Sequence, residues 1–182
     1  MERIPSDAGF PASQPPPLER RLRQLAQAYV QEPELISACL QTAPQRLPAH
    51  AAQILAAAQL ALKECPGYAD LYYHAGHAAI AAGELETAAA LLDGALRANP
   101  NYTDALILAA RLALRRHQPA QARTLLQTAL DKGADYADVH MLLGGVWQAE
   151  ENWTQARASY ERALALNANL TAARKALAGL PT

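Results

Sequence analysis

The sequence of 182 residues predicts an all-α protein made of stacked helix pairs. The main observation is a pattern that recurs every 34 residues between positions 66 and 170. The recurring residues are Tyr68, Tyr102 and Tyr136; Asp70, Asp104 and Asp138; Ala88, Ala122 and Ala156; and the Ala-Leu pairs that begin at Ala95, Ala129 and Ala163. A second observation is the abundance of alanine beside one Phe and two Trp, which favours closely packed helices over a β-rich fold.

The elements can be assigned in order along the chain. Residues 1–17 hold five prolines and are predicted to form a disordered tail. Residues 18–65 are predicted to form a helical N-terminal cap or a degenerate repeat, because apolar residues recur there at helical spacing. Residues 66–170 hold three repeats, with helices expected near 68–82, 85–98, 102–116, 119–132, 136–150 and 153–166. Residues 171–182 are predicted to form a C-terminal cap helix.

Turn and capping residues set the ends of these predicted helices. Gly83, His117 and Glu151 fall at the turns inside the three repeats. The polar residues at the junctions between repeats are predicted to cap the helix that follows, and they are Asn101, Asp135 and Asn169. Asp104 and Asp138 come three positions later and place a carboxylate near the positive end of the helix dipole.

Charge and hydropathy exclude several functional classes. A net charge of -1 gives no electrostatic footprint for a nucleic-acid backbone or an anionic membrane. The sequence contains no run of about 18 apolar residues, so it predicts no membrane span. The first 17 residues lack the apolar core of a secretory signal. The sequence therefore predicts a cytoplasmic protein with no nucleic-acid partner and no membrane insertion.

The repeated unit resembles the tetratricopeptide repeat. The resemblance rests on the period, a small residue midway through each unit, the Ala-Leu pair near its end and a Pro or Asn/Gly break at the junctions. It implies a right-handed α-solenoid in which the first helix of each repeat lines a concave groove. Gly76, Ala110 and Gly144 would be the small residues where the first helix crosses the second. Trp147 alone matches the aromatic residue that the family favours late in the first helix.

The resemblance also implies a binding site for a protein or peptide along the groove. The positions that face the groove in this family correspond here to Tyr73, His74, His77, Ile80, Ile107, Leu108, Arg111, Leu114, Arg115, Met141, Leu142, Gly145 and Gln148. Their apolar members can equally pack between repeats, so a binding role and a packing role both stay open. Apolar anchors beside Arg111 and Arg115 suit an amphipathic helix, or an extended segment that carries an acid.

One ligand class of the family is disfavoured. The clamp for the acidic C-terminal tails of heat-shock chaperones needs Lys, Asn and Arg at set groove positions. Those positions hold Tyr73, His77, Leu108, Asp138 and Leu142 in this sequence. A different ligand is therefore expected.

No residue set indicates catalysis, a cofactor or a bound metal. His74 and His77 lie three residues apart with Asp70 one turn earlier, but no further metal ligand follows at a plausible spacing. The sequence contains no nucleophile–histidine set, Gly-rich phosphate loop or carboxylate pair typical of an active site. Trp147 and Trp153 are interpreted as core residues, and the recurring Tyr68, Tyr102 and Tyr136 are expected to pack on the preceding second helix. We therefore predict that the protein is not an enzyme.

The resemblance favours a scaffold or adaptor that binds a partner protein without catalysis. Two alternatives stay open. The chain is also compatible with a small chaperone that shields an apolar segment of a secretion or assembly substrate. It is equally compatible with a self-assembling homo-oligomer in which the N-terminal helices of one copy fill the groove of another.

Overall fold

A computed structural model describes residues 17–41 and 47–181. Within these two ranges the chain forms ten α-helices and no strand. The helices are α1 (Pro17–Gln31), α2 (Glu34–Gln41), α3 (Leu47–Glu64), α4 (Ala69–Ala82), α5 (Leu85–Ala98), α6 (Thr103–Arg115), α7 (Pro119–Asp131), α8 (Ala137–Ala149), α9 (Trp153–Leu166) and α10 (Thr171–Ala178). The all-α prediction is confirmed. Residues 1–16 of the predicted disordered tail lie outside the described residues.

Three helix pairs make up the centre of the molecule. They are α4 with α5, α6 with α7, and α8 with α9, and each pair packs more extensively on itself than on the next pair. All six helices begin and end within one residue of the positions predicted from the repeat. The turn inside each pair contains a residue in the left-handed conformation: Gly83 with φ 82°, His117 with φ 57° and Glu151 with φ 58°. Only the glycine adopts this conformation without steric cost.

The predicted caps of the first helices are wrong. The N-cap residues are Tyr68, Tyr102, Tyr136 and Leu170, and none of their side chains caps its helix. Each polar residue predicted as a cap therefore stands one position too early. These junction residues make other bonds: Asn101 donates its backbone N–H to the side chain of Asn99 at 3.0 Å, and the Asp135 carboxylate binds His140 and Arg162.

Small residues let the two helices of a pair approach closely. A Cβ atom added to Gly76 would lie 3.0 Å from a side-chain carbon of Leu92. One added to Gly144 would lie less than 3.0 Å from three ring atoms of Tyr160. The equivalent residues of the second repeat are Ala110 and Leu126, which are buried in one apolar cluster. The large residue of the second helix thus occupies the space above the small residue of the first.

The apolar core is divided into three clusters along the chain. The N-terminal cluster extends from α1 to α6, and its largest fully buried side chains are Tyr29, Ile36, Leu71 and Leu92. The central cluster lies mainly between α6, α7 and α8 and contains Leu126, Val139 and Val146. The C-terminal cluster is the smallest, and its buried residues are Ala156, Tyr160, Ala163, Ala173 and Leu180.

The N-terminal helices cover the end of the first repeat. α3 packs against both α1 and α4, and α2 packs against α4. The contact between α2 and α4 includes a hydrogen bond of 2.7 Å between Ser37 Oγ and His74 Nδ1. Part of the face of α4 that the sequence assigns to the groove is therefore covered by the chain's own α2.

Candidate functional site

The first helices α4, α6 and α8 surround one cavity of about 160 Å³, called here the central cavity. All of its lining residues come from these three helices or from the position just before α8. They are Tyr73, His77, Asp104, Ile107, Leu108, Arg111, Tyr136 and Asp138. Five of the eight were predicted as groove residues. The other three, Asp104, Tyr136 and Asp138, were given structural roles near the helix starts, and Asp138 was also named as a clamp position that lacks the required residue.

Aromatic rings form one side of the central cavity. The ring of Tyr73 lies 5.1 Å from the ring of Tyr102, measured between centroids, and 5.0 Å from that of His77. The Tyr73 hydroxyl also lies 3.2 Å from His77 Nε2, within hydrogen-bonding distance. Burial, together with a hydrogen bond to the Asp70 carboxylate, raises the pKa of the Tyr102 hydroxyl. These contacts join the tyrosines of two repeats into one cluster.

The charges at the central cavity come from two carboxylates and one guanidinium. Arg111 Nη2 lies 3.9 Å from Asp138 Oδ2, and both side chains are 52% exposed. Such a long, exposed ion pair contributes little to stability. Burial is the main cause that lowers the pKa of His77 to about 4, so this imidazole is neutral at physiological pH. Burial and the nearby Asp104 raise the pKa of Tyr73, which therefore stays protonated.

The apolar residues at the base of the cavity are mainly packing residues. Ile107 is 7% exposed and belongs to the central cluster, while Leu108 is 5% exposed and belongs to the N-terminal cluster. The sequence left binding and packing open for these positions. The low exposure of both side chains favours packing, so the surface available to a ligand is formed chiefly by tyrosine, aspartate and arginine.

The predicted groove residues on α4 outside the cavity belong to the N-terminal packing. His74 is buried beneath α2, and burial is the main cause that lowers the pKa of its imidazole. Ile80 is partly buried against the N-terminal cluster. Neither side chain forms part of the cavity wall. A ligand on the α4 side would therefore meet Tyr73 and His77.

The predicted groove residues on α6 and α8 also spread away from the cavity. Leu114 and Leu142 are partly buried against the central cluster, and Met141 is partly buried against the C-terminal cluster. Arg115 is exposed. Gln148 accepts a hydrogen bond of 2.9 Å from the Tyr160 hydroxyl, which directs it towards α9. The structure thus gathers only part of the predicted set around one site.

Three aromatic residues at helix starts are more exposed than the sequence suggested. Tyr136 was expected to pack on the preceding helix, but it is 52% exposed at the edge of the cavity. Tyr68, its counterpart in the first repeat, is 38% exposed and does not line the cavity. Trp153, interpreted as a core residue, is 37% exposed, whereas Trp147 is partly buried beside Arg123.

The described ranges contain neither a cluster of metal ligands nor a helix suited to a bilayer. In them, no group of three or more His, Cys, Asp or Glu side chains is placed to hold a metal ion. The imidazoles of His74 and His77 are instead hydrogen-bonded to Ser37 and Tyr73. None of the helices in residues 17–41 and 47–181 has the length and apolarity that a bilayer crossing requires.

Comparison with known families identifies the repeat. Residues 79–145, which hold parts of all three helix pairs and most of the central cavity, match the family model described as tetratricopeptide repeat. This region of the chain consists of tetratricopeptide repeats. The predicted family and solenoid architecture are thereby confirmed. No curated protein matches the sequence of this tetratricopeptide repeat protein.

Solved structures of other tetratricopeptide repeat proteins are similar in fold. TTC0263, a thermophilic protein from Thermus thermophilus, is 20% identical, with 88% of this chain and 89% of that chain covered and a TM-score of 0.64. YrrB, described as having an unusual peptide-binding site, is 27% identical over 66% of this chain and 62% of its own, with a TM-score of 0.61. The first repeat domain of Spaghetti (RPAP3), bound to the HSP90 peptide SRMEEVD, is 21% identical over 60% of this chain and 87% of its own, with a TM-score of 0.59.

Proposed function

We propose that this tetratricopeptide repeat protein is a non-catalytic scaffold or adaptor that binds a peptide segment of a partner protein at the central cavity. The observation that carries the proposal is the convergence of three first helices on one cavity with accessible polar and aromatic side chains. Arg111, Tyr136 and Asp138 are each slightly more than half exposed there. Side chains that project from packed helices are held in place before a ligand arrives, which lowers the entropic cost of binding.

The similar proteins support this class of function. YrrB has an unusual peptide-binding site, the RPAP3 domain binds an HSP90 peptide, and both share the fold of this chain. The peptide of the RPAP3 domain is rich in acidic residues. The central cavity of this protein carries Asp104 and Asp138, so we propose that it selects a peptide of different chemistry.

Replacement of Tyr136 tests the proposal. The intact chain is used to capture partners from a cell extract, and the affinity of each purified partner is then measured by calorimetry. Tyr136→Ala is expected to weaken binding about tenfold or more, because exposed aromatic residues at a binding site commonly supply at least about 1.4 kcal/mol. The stability of the free protein should change little, since Tyr136 is 52% exposed.

Tyr68→Ala is the matched control. Tyr68 is the same residue type at the same position of the first repeat, but it does not line the cavity. Its replacement should leave partner affinity unchanged. Equal affinity of wild type and Tyr136→Ala would reject the central cavity as the binding site. Recovery of this chain itself as the captured partner would favour self-assembly over an adaptor role.

A further inference from the structure

We infer that the central cavity accepts a lysine or arginine side chain from an extended segment of the partner protein. The inference rests on the proposed function and specifies its ligand. It also differs from what the sequence indicated, because Arg111 and Arg115 alone suggested a ligand with an acid. The side chains that surround Arg111 in the folded protein change that interpretation.

The charge around the cavity is complementary to a cation. Asp104 and Asp138 line it, and Arg111 supplies the one guanidinium in its wall. His77 adds no charge at physiological pH, and the adjacent Asp70 carboxylate accepts a hydrogen bond from Tyr102. An acidic ligand side chain would enter beside two carboxylates. A basic one would meet both carboxylates, with a single competing cation 3.9 Å from Asp138.

The aromatic walls point to the same ligand. Tyr73 lines the cavity with its ring packed against Tyr102 and His77, and the exposed ring of Tyr136 stands at its edge. The face of a tyrosine ring attracts an ammonium or guanidinium group, and this attraction adds to that of nearby carboxylates. The tyrosine rings and the aspartate carboxylates are thus two independent features of the cavity that favour a cation.

The size of the cavity favours a single side chain over a whole helix. Its volume of about 160 Å³ is smaller than the roughly 300–1,000 Å³ of sites that enclose a drug-sized ligand. A long, flexible lysine or arginine side chain can enter such a space while the backbone of the segment remains on the surface. The base of the cavity, Ile107 and Leu108, would contact the aliphatic part of that side chain.

Short peptides that differ at one position test the inference. The probes are Ac-Ala-Leu-X-Leu-Ala-amide peptides in which X is lysine, arginine, norleucine or glutamate. Each is titrated into the isotopically labelled full chain while backbone amide signals are recorded by NMR. The lysine or arginine peptide is expected to shift signals of residues that line the cavity and to bind about tenfold more tightly than the norleucine and glutamate peptides. Raising the salt concentration should weaken this binding.

Charge variants provide the second arm of the experiment. Asp104→Asn should weaken binding of the basic peptide about tenfold, whereas Asp93→Asn, at an exposed carboxylate on α5, should leave it unchanged. Arg111→Ala should strengthen binding several-fold, because it removes the competing cation. A spectrum with native signal dispersion shows that each variant is folded.

Three outcomes would overturn the inference. The first is tighter binding of the glutamate peptide than of the basic peptides. The second is binding of the norleucine peptide equal to that of the basic peptides. The third is no shift of the cavity signals by either basic peptide at millimolar concentration. The proposed function is judged separately by the Tyr136 variant. A captured partner that depends on Tyr136 while no basic peptide binds would retain the adaptor role and reject the cationic ligand.

Discussion

Ile107→Glu is expected to destabilise the protein by about 3 kcal/mol or more. Ile107 is 7% exposed and packs in the central cluster, so the substitution removes apolar contacts and places a carboxylate at a largely buried position. The new carboxyl group can take up a proton in the folded protein and so lose its charge. The apolar contacts of the Ile107 side chain are lost in either protonation state. The free energy of unfolding, measured by urea denaturation with circular dichroism, gives the size of the effect.

Arg111→Glu is the matched control, since it introduces the same side chain one turn later on α6. The Arg111 side chain is 52% exposed and makes one long ion pair, so its replacement should change stability by less than about 1 kcal/mol. A melting curve of Ile107→Glu identical to wild type would contradict the packing role. It would show that this part of α6 is open to solvent, as an apolar binding groove requires.

Two adjacent glycines of α8 should respond in opposite directions to alanine. Gly144→Ala is expected to destabilise the protein, because the new Cβ would lie less than 3.0 Å from three ring atoms of Tyr160. That ring is 4% exposed and its hydroxyl bonds to Gln148, so it has little freedom to move away. Overpacking of this kind costs about 1–3 kcal/mol.

Gly145→Ala supplies the control within the same helix. Its Cβ would meet only the Tyr160 hydroxyl, at 3.9 Å, so the substitution adds helix propensity without a clash. Alanine is favoured over glycine in a helix by about 0.8–1 kcal/mol. Thermal unfolding of the two variants should therefore place Gly144→Ala below wild type and Gly145→Ala above it. The same melting temperature for both would mean that Tyr160 does not press on α8.

The positions of the helices could be predicted because the repeat carries its own local signals. Gly83 and the equivalent residues 117 and 151 mark the turns, and apolar spacing marks the helices between them. The caps could not be predicted by the same reasoning. Asn101 and Asp135 stand one residue before the N-cap position, where the backbone N–H of Asn101 bonds to the Asn99 side chain and the Asp135 carboxylate bonds to His140. A polar residue near a helix start does not by itself fix which position caps it.

The site was only partly predictable for a different reason. Asp104, Tyr136 and Asp138 each have a sufficient structural interpretation within their own repeat, at the beginning of a helix. Their approach to one another depends on how consecutive repeats stack, which no single repeat encodes. The burial of His74 likewise depends on α2, which lies in the irregular N-terminal part of the chain. Its contact residue there, Ser37, is 37 positions earlier in the sequence. The periodicity of the sequence therefore predicted the helices of each repeat but not the contacts between neighbouring repeats or between α2 and α4.

The three apolar clusters differ in size, so the two ends of the described structure should differ in their stability against local unfolding. In a linear array each helix pair depends mainly on its neighbours, so partial unfolding starts at the end with the least buried apolar surface. That end is α9 and α10, whose small cluster relies on Ala156, Tyr160 and Ala173, whereas the N-terminal cluster spans α1 to α6. Amide hydrogens of α10 and α9 should consequently exchange first with solvent, and a protease should enter from the carboxyl-terminal side. Of the helices around the central cavity, α4 and α6 would remain folded during such fraying, whereas α8 would lose its partner α9.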